Sequence, residues 1–189
     1  MATTAENLIQ HHRFTVGEYR RMGETGIFHE DDRVELIEGE IIEMSPIGSP
    51  HSGANIRIQK RLEQAVGESA IVSSQNPVVL GEFSEPQPDI ALLRYRDDFY
   101  SSSHPAPDDV LLLIEVAESS LRYDREVKLS LYARHGIPAV WLVDLQNKQL
   151  LLFSRPTEAG YRFMETADLN RPITLPGLTE VEVDLAGLF

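Results

Sequence analysis

The chain has 189 residues, 42% of them hydrophobic and 25% charged, with a formal net charge of −13 and no cysteine. These totals fit one globular domain over residues 1–189 with a sizeable core, and they exclude disulfides, thiolate catalysis and cysteine-held zinc. The acidic balance counts against a nucleic-acid coat protein, which needs a broadly basic surface, but not against an acidic pocket whose divalent metal attracts phosphate. The stretch "MATTAENLIQHHRF" lacks the basic-then-apolar pattern of a signal peptide. No apolar run approaches the roughly 20 residues of a membrane helix, so a soluble, cytoplasmic protein with no membrane partner is expected.

The first element signal is "FTVGEYRRMG", where Thr15 and Glu18 have capping-box spacing behind the apolar Phe14 and Gly23 can stop the helix. "RVELIEGEIIEMSP" reads as a hairpin turning at Glu38-Gly39, and "IGSPHSG" as a loop. Helical spacing follows from about Ser52 to Gly67, with Ala54, Ile58, Leu62, Ala65 and Val66 on one stripe. That helix also carries Arg57, Lys60 and Arg61, the densest basic cluster of the chain. A solvated face is the plainer reading of it, a phosphate contact the sharper one.

Three strands are expected next, in "AIVSSQNPVVLG", "PDIALLRY" and "DVLLLIEVAE". The last is almost continuously apolar, as for a central strand covered on both faces. Ser119 or Ser120 can cap a helix over about residues 121–135, ended by Gly136 and Pro138, before the strand "AVWLVD". Strand, helix and strand within about 35 residues predict a βαβ unit with parallel strands. "KQLLLFSR", "GYRFME" and "TEVEVDL" close the chain as antiparallel strands at one edge. The whole reads as a mixed α/β sheet flanked by helices.

Two carboxylates fall at unusual places. Asp89 opens "PDIALL", and Glu115 sits inside "VLLLIEV". Burying an ionised carboxylate costs several kcal/mol unless a cation compensates it. If the two strands are neighbours, Asp89 and Glu115 meet at the sheet edge, and such a pair with water and phosphate oxygens suits Mg²⁺ or Mn²⁺. Lys128, on the helix that returns across the sheet, is the candidate to offset charge on a phosphoryl group or orient a water. The bland alternatives are a chance trio in an acidic chain, an Asp124–Lys128 helix pair, and a structural ion pair for Glu115. His51, in the loop before the basic helix, and Glu35 and Glu38, in the hairpin, are weaker candidates. No phosphate loop, G-x-S-x-G or H-E-x-x-H motif occurs.

The segments "VELIEGEIIEMSP", "HSGANIRIQKRL", "PQPDIALL", "LLLIEVAESSLRYDREVKLSLYARHGIPAVWLVD" and "LLLFSR", in this order, resemble the Uma-two family of bacterial endonucleases within the PD-(D/E)XK nuclease superfamily. The resemblance covers about residues 13–185. It implies a restriction-endonuclease-like mixed sheet flanked by helices. An N-terminal helix and hairpin (13–51) would precede a nuclease-like core (52–143), and a C-terminal antiparallel β extension (144–189) would follow it. It also implies an endonuclease acting on DNA, with Asp89 and Glu115 as metal ligands together with the Val116 carbonyl. The superfamily lysine, two residues after the Glu, is replaced here by Ala117. The family's lysine lies on the following helix, which points to Lys128. Glu35 and His51 match family positions as further catalytic candidates, and Gln87 as an outer neighbour.

Two other readings compete: an inactive nucleic-acid-binding or accessory protein on the same scaffold, motivated by Ala117 and the net charge, and a structural homodimer using the apolar "KQLLLFSR" as its edge. A homodimer is also expected of the nuclease, because cutting two strands is simplest with two symmetric sites.

Overall fold

The computed structural model describes residues 11–29 and 31–189; the N-terminal stretch 1–10, read above for targeting signals, lies outside them. Helix α1 (Val16–Glu24) starts at Thr15, and the expected capping box is formed: the Glu18 N–H donates to the Thr15 hydroxyl at 3.2 Å and the Thr15 N–H to the Glu18 carboxylate at 2.8 Å. It runs past Gly23 to a cap at Thr25.

Strands β1 (Val34–Ile37) and β2 (Glu40–Glu43) pair antiparallel about a two-residue turn. Glu38 and Gly39 both have positive φ, 51° and 86°, as this turn requires. Gly39 is needed for room as well, since a Cβ there would lie 2.6 Å from the Arg13 Cβ. The hairpin is held against the segment around Glu85, whose N–H donates to the Leu36 carbonyl at 2.7 Å.

Helix α2 (Ser49–Val66) begins three residues before the expected start at Ser52, because Pro50 sits in its first turn, where its fixed φ suits a helix and its missing N–H costs nothing. His51 therefore lies on the helix, not in a loop. Strand β3 (Ala70–Ser74) is shorter than the apolar pattern suggests: Gln75 takes a positive φ of 53° and Pro77 cannot donate to a ladder. Strands β4 (Ile90–Arg94) and β5 (Val110–Ala117) follow, then a crossover helix over 121–134, β6 (Ala139–Asp144), β7 (Gln149–Thr157) and β8 (Gly160–Thr166). These make a six-stranded sheet in the order β3-β4-β5-β6-β7-β8. Its β5–β6 pair is parallel, as the βαβ reading requires, and its other pairs are antiparallel.

The C-terminal expectation holds in part. "KQLLLFSR" and "GYRFME" are antiparallel strands at one side of the sheet, its fifth and sixth, but β7 lies inside it, so β8 and not "KQLLLFSR" is the edge strand on that side. "TEVEVDL" never joins that sheet. It forms β10 (Leu178–Val183), which pairs with β9 (Ile173–Leu175) as a separate ribbon packed against α2. Arg57 donates to the Gly187 and Leu188 carbonyls and Arg61 to that of Asp184. Those two cations of the basic helix thus pin the chain end, and their phosphate-contact reading is not needed.

Both faces of the sheet are covered. Ile58, Leu62 and Val66 of α2 pack on Ile90, Leu92, Leu112 and Ile114. On the other face Leu129, Leu131 and Tyr132 of the crossover helix pack on Leu93, Leu113, Val140 and Leu142. Each fully buried Leu or Ile contributes about 1.5–3 kcal/mol. Strand alternation puts Glu115 between Leu113 and Ala117 on the second face, under the crossover helix.

Candidate active site

Antiparallel pairing of β4 and β5 sets Ile90 opposite Ile114, so Asp89 and Glu115, one position further along each strand, become neighbours at the sheet's rim. The Val116 N–H donates to Asp89 Oδ2 at 2.8 Å, and His51 Nε2, from the first turn of α2, lies 3.1 Å from the same oxygen. His51 Nδ1 is buried without a hydrogen-bond partner. The Asp89 contact favours the imidazolium, which raises the His51 pKa against the opposing effect of burial.

Glu115 is 4% exposed. Its Oε1 accepts from the Tyr132 hydroxyl and from Lys128 Nζ at 3.3 Å. Lys128, 5% exposed, also lies 3.1 Å from Glu35 Oε2. Glu35 in turn accepts from the Gln87 N–H at 3.1 Å and from the Tyr123 hydroxyl at 3.4 Å. The hairpin's expected contribution is therefore a counter-ion for the lysine. Glu38 points elsewhere, to Arg134 at 3.1 Å.

The crossover helix is not uniform. Leu121–Tyr123 and Leu129–Arg134 are α-helical, but Asp124–Lys128 forms a π-helical turn in which the Leu129 N–H reaches back five residues to the Asp124 carbonyl. Such turns are rare and cluster at functional sites. This one buries both of its polar ends, Asp124 and Lys128. Asp124 Oδ2 accepts from the Ser120 hydroxyl at 2.6 Å. Lys128 and Tyr132, four residues apart, share the face that covers Glu115.

Burial sets the protonation states. It pushes the Asp124 carboxyl up to about 6, only partly offset by Lys128 and Ser120. Burial likewise carries Glu115 well above the usual carboxylate range, with Lys128 opposing the shift. For Lys128, burial acts downward, but Glu115, Glu35 and Asp124 together outweigh it, so the ammonium is held more tightly than in water. Lys128 is thus a fixed positive charge and a donor, not a base.

These groups line one cavity of about 330 Å³, walled by residues 42–48, the start of α2, Gln75, Gln87, the 118–120 segment and Tyr123. Asp89 Oδ1 and Glu115 Oε2 accept no hydrogen bond from any described residue, and neither is among the sealed, unpartnered atoms, so both open on the cavity. Asp89, Glu115, Glu35 and Asp124 line it against the cations Lys128, His51 when protonated, and Arg33 at the wall. Among the described residues no group of three or more His, Cys, Asp or Glu stands close enough to enclose a metal alone. The donor set fits an ion held by two carboxylates and completed by water and substrate, the habit of Mg²⁺.

Residues 16–186 match the family described as Uma2, putative restriction endonuclease. The chain belongs to the Uma2 family. No curated protein matches it. Among solved structures it is similar to a putative nuclease of the DUF820 group from Anabaena variabilis, with a TM-score of 0.70 at 17% identity, over 93% of this chain and 97% of that one. This likeness carries the fold: the nuclease-like mixed sheet extends over nearly the whole Uma2 match.

The structure brings together all five sequence candidates, Asp89, Glu115, Lys128, Glu35 and His51, at one cavity. The sequence does not single out Tyr132 as a donor to Glu115, and it offers Asp124 only as an ordinary helix pair with Lys128. The spacing of four between Lys128 and Tyr132 was the available signal for the first. Nothing in "YDREVK" announces the π-helical turn that defines the second.

Proposed function

We propose that this Uma2 protein is a divalent-metal-dependent endonuclease that hydrolyses DNA phosphodiesters, with Asp89, Glu115 and Lys128 as its core. The observation that carries the reading is the pair of unengaged carboxylate oxygens, Asp89 Oδ1 and Glu115 Oε2, opening on the cavity that Lys128 shares. Asp89 and Glu115, with the Val116 carbonyl, would hold Mg²⁺ or Mn²⁺, which when bound supplies Lewis acidity toward the phosphate and lowers the pKa of a bound water. The Val116 N–H and His51 fix Asp89 by one oxygen and leave the other for the ion. Tyr132 and Lys128 do the same for Glu115. Glu35 holds the Lys128 ammonium at the cavity, where it orients the attacking water and offsets the charge that grows on the phosphoryl oxygens. In the net reaction the water oxygen bonds to phosphorus, one P–O ester bond breaks, and the proton released by the water ends on the departing alcohol.

The test is cleavage of single-stranded, plasmid and linear duplex DNA with Mg²⁺ or Mn²⁺ by wild type, Asp89→Ala and Lys128→Ala. Cleavage by wild type alone supports the site. Equal cleavage by all three assigns the activity to another site or a contaminant. A two-fold dimer presenting two such sites belongs to the same proposal, and light scattering showing a strict monomer removes it.

A further inference from the structure

We infer that the substrate is single-stranded DNA, admitted as a locally unpaired strand that lowers one phosphodiester into the cavity. The inference rests on the nuclease reading of the site and adds what the cavity and its surroundings select. The reacting groups are not on an open cleft: Glu115 and Lys128 are both at least 95% buried, as their 4% and 5% exposures show. Five separate segments wall the cavity, and its volume of about 330 Å³ is at the low end of small-molecule pockets, roughly 300–1,000 Å³. A phosphodiester in a duplex carries stacked, paired bases and a second strand with it, and a cavity of about 330 Å³ has no room for these. An unpaired strand bends at each nucleotide and can enter.

The electrostatics point the same way. A duplex carries one negative charge per about 1.7 Å of axis, and binding it takes a track of cations along several phosphates. Here Glu43 and Glu118 line the cavity beside the single wall cation Arg33, which donates to the Ser45 carbonyl. Elsewhere the arginines are engaged within the fold: Arg20 with Glu85, Arg57 and Arg61 with the chain end, Arg96 with Asp98, Arg134 with Glu38. The remaining cations, such as Arg21, Lys60, Arg125, Lys148 and Arg162, are scattered over different elements. With a net charge of −13 and so many of its arginines engaged, the chain is poorly suited to an extended polyanion and better suited to a ligand that brings few phosphates at once.

The experiment separates binding from cutting. Wild-type protein is titrated into a fluorescent oligonucleotide, single-stranded or annealed to its complement, with Ca²⁺ in place of Mg²⁺, and anisotropy is read. The same oligonucleotides are then incubated with Mn²⁺ and resolved by length. The expected result is binding of the single strand tighter by about tenfold or more, with faster cleavage. Duplex bound and cut as well as, or better than, the single strand overturns the inference and leaves the nuclease reading intact. Preferential single-strand binding without cleavage removes the nuclease reading, and with it the single strand as substrate, and leaves only the strand preference in binding. Binding of neither with no cleavage removes both. Ile47→Ala, at the wall and outside the reacting groups, is expected to narrow the preference by raising duplex cleavage more than single-strand cleavage.

Discussion

Two buried carboxylates of this protein, Glu85 and Glu115, are paired with cations in different ways. At one, Glu85 meets Arg20 through two bonds of 2.8 and 2.7 Å, tying α1 to the segment that also receives the hairpin. One guanidinium meets one carboxylate there, both bonds on Glu85 Oε2. At the other, a single ammonium, Lys128, is divided between Glu35 and Glu115 while Asp124 and Asp89 stand near, and one oxygen each of Glu115, Asp89 and Asp124 accepts no hydrogen bond from a described residue. A buried pair built only for structure balances its charge, because an unmatched charge is costly. The second group has a surplus of carboxylates over cations and sets it on a cavity, a surplus that the proposed divalent ion would hold ionised.

The comparison breaks most sharply on the cations. Lys128→Met leaves Glu35 and Glu115 without their common partner, and is expected to cost about 3–5 kcal/mol of stability and to abolish cleavage by the molecules that still fold. Arg20→Met carries a smaller stability penalty through Glu85, because the Arg20 side chain is 42% exposed, and activity per folded molecule stays at the wild-type level. Thermal melts paired with active-fraction assays distinguish the two, and equal loss of activity in both variants erases the distinction. Asp89→Asn, which lowers the surplus charge, is expected to lose metal-supported cleavage by a factor of 100 or more, about 2.7 kcal/mol, with its melting temperature unchanged or raised. A large fall in melting temperature would mean that Asp89 is structural.

Smaller effects sharpen the picture. Tyr132→Phe removes the hydroxyl that holds Glu115 Oε1, and is expected to weaken Mn²⁺ binding about tenfold, in the range for residues that orient metal ligands. A titration showing wild-type affinity would make that hydrogen bond purely structural. Smallest is a pH effect. The folded state binds the Asp124 proton more tightly than the unfolded state, so this group favours folding at low pH. That contribution fades as pH rises from about 4, the ordinary carboxylate value, through its folded pKa of about 6. Asp124→Asn should flatten the corresponding decline in stability, and denaturant midpoints across that window with parallel slopes for both proteins would show that Asp124 ionises as freely as in water.

Much of this arrangement is legible from sequence because its signals are local. The capping box at Thr15, the Glu38-Gly39 turn and the βαβ order each rest on a few adjacent residues. Glu115 betrayed itself as a charge in an apolar strand, and strand parity placed it under the helix that carries Lys128. What escaped is what depends on distant partners or on backbone detail. The β9–β10 ribbon leaves the sheet because its apolar residues pack on α2, which alternation within "TEVEVDL" cannot show. His51 read as a loop residue until Pro50 proved to be the first turn of a helix. The π-helical turn at Asp124–Lys128 has no spacing rule, and with it went the burial of Asp124.

The most direct measurement is a calorimetric titration of Mn²⁺ into the wild-type protein and Asp89→Asn at neutral pH. Saturable binding at one site per chain in the wild type, lost in the variant, is the result the acidic pair predicts. Absence of binding in the wild type, or the same isotherm in both proteins, contradicts a metal site between Asp89 and Glu115 and with it the proposed hydrolysis.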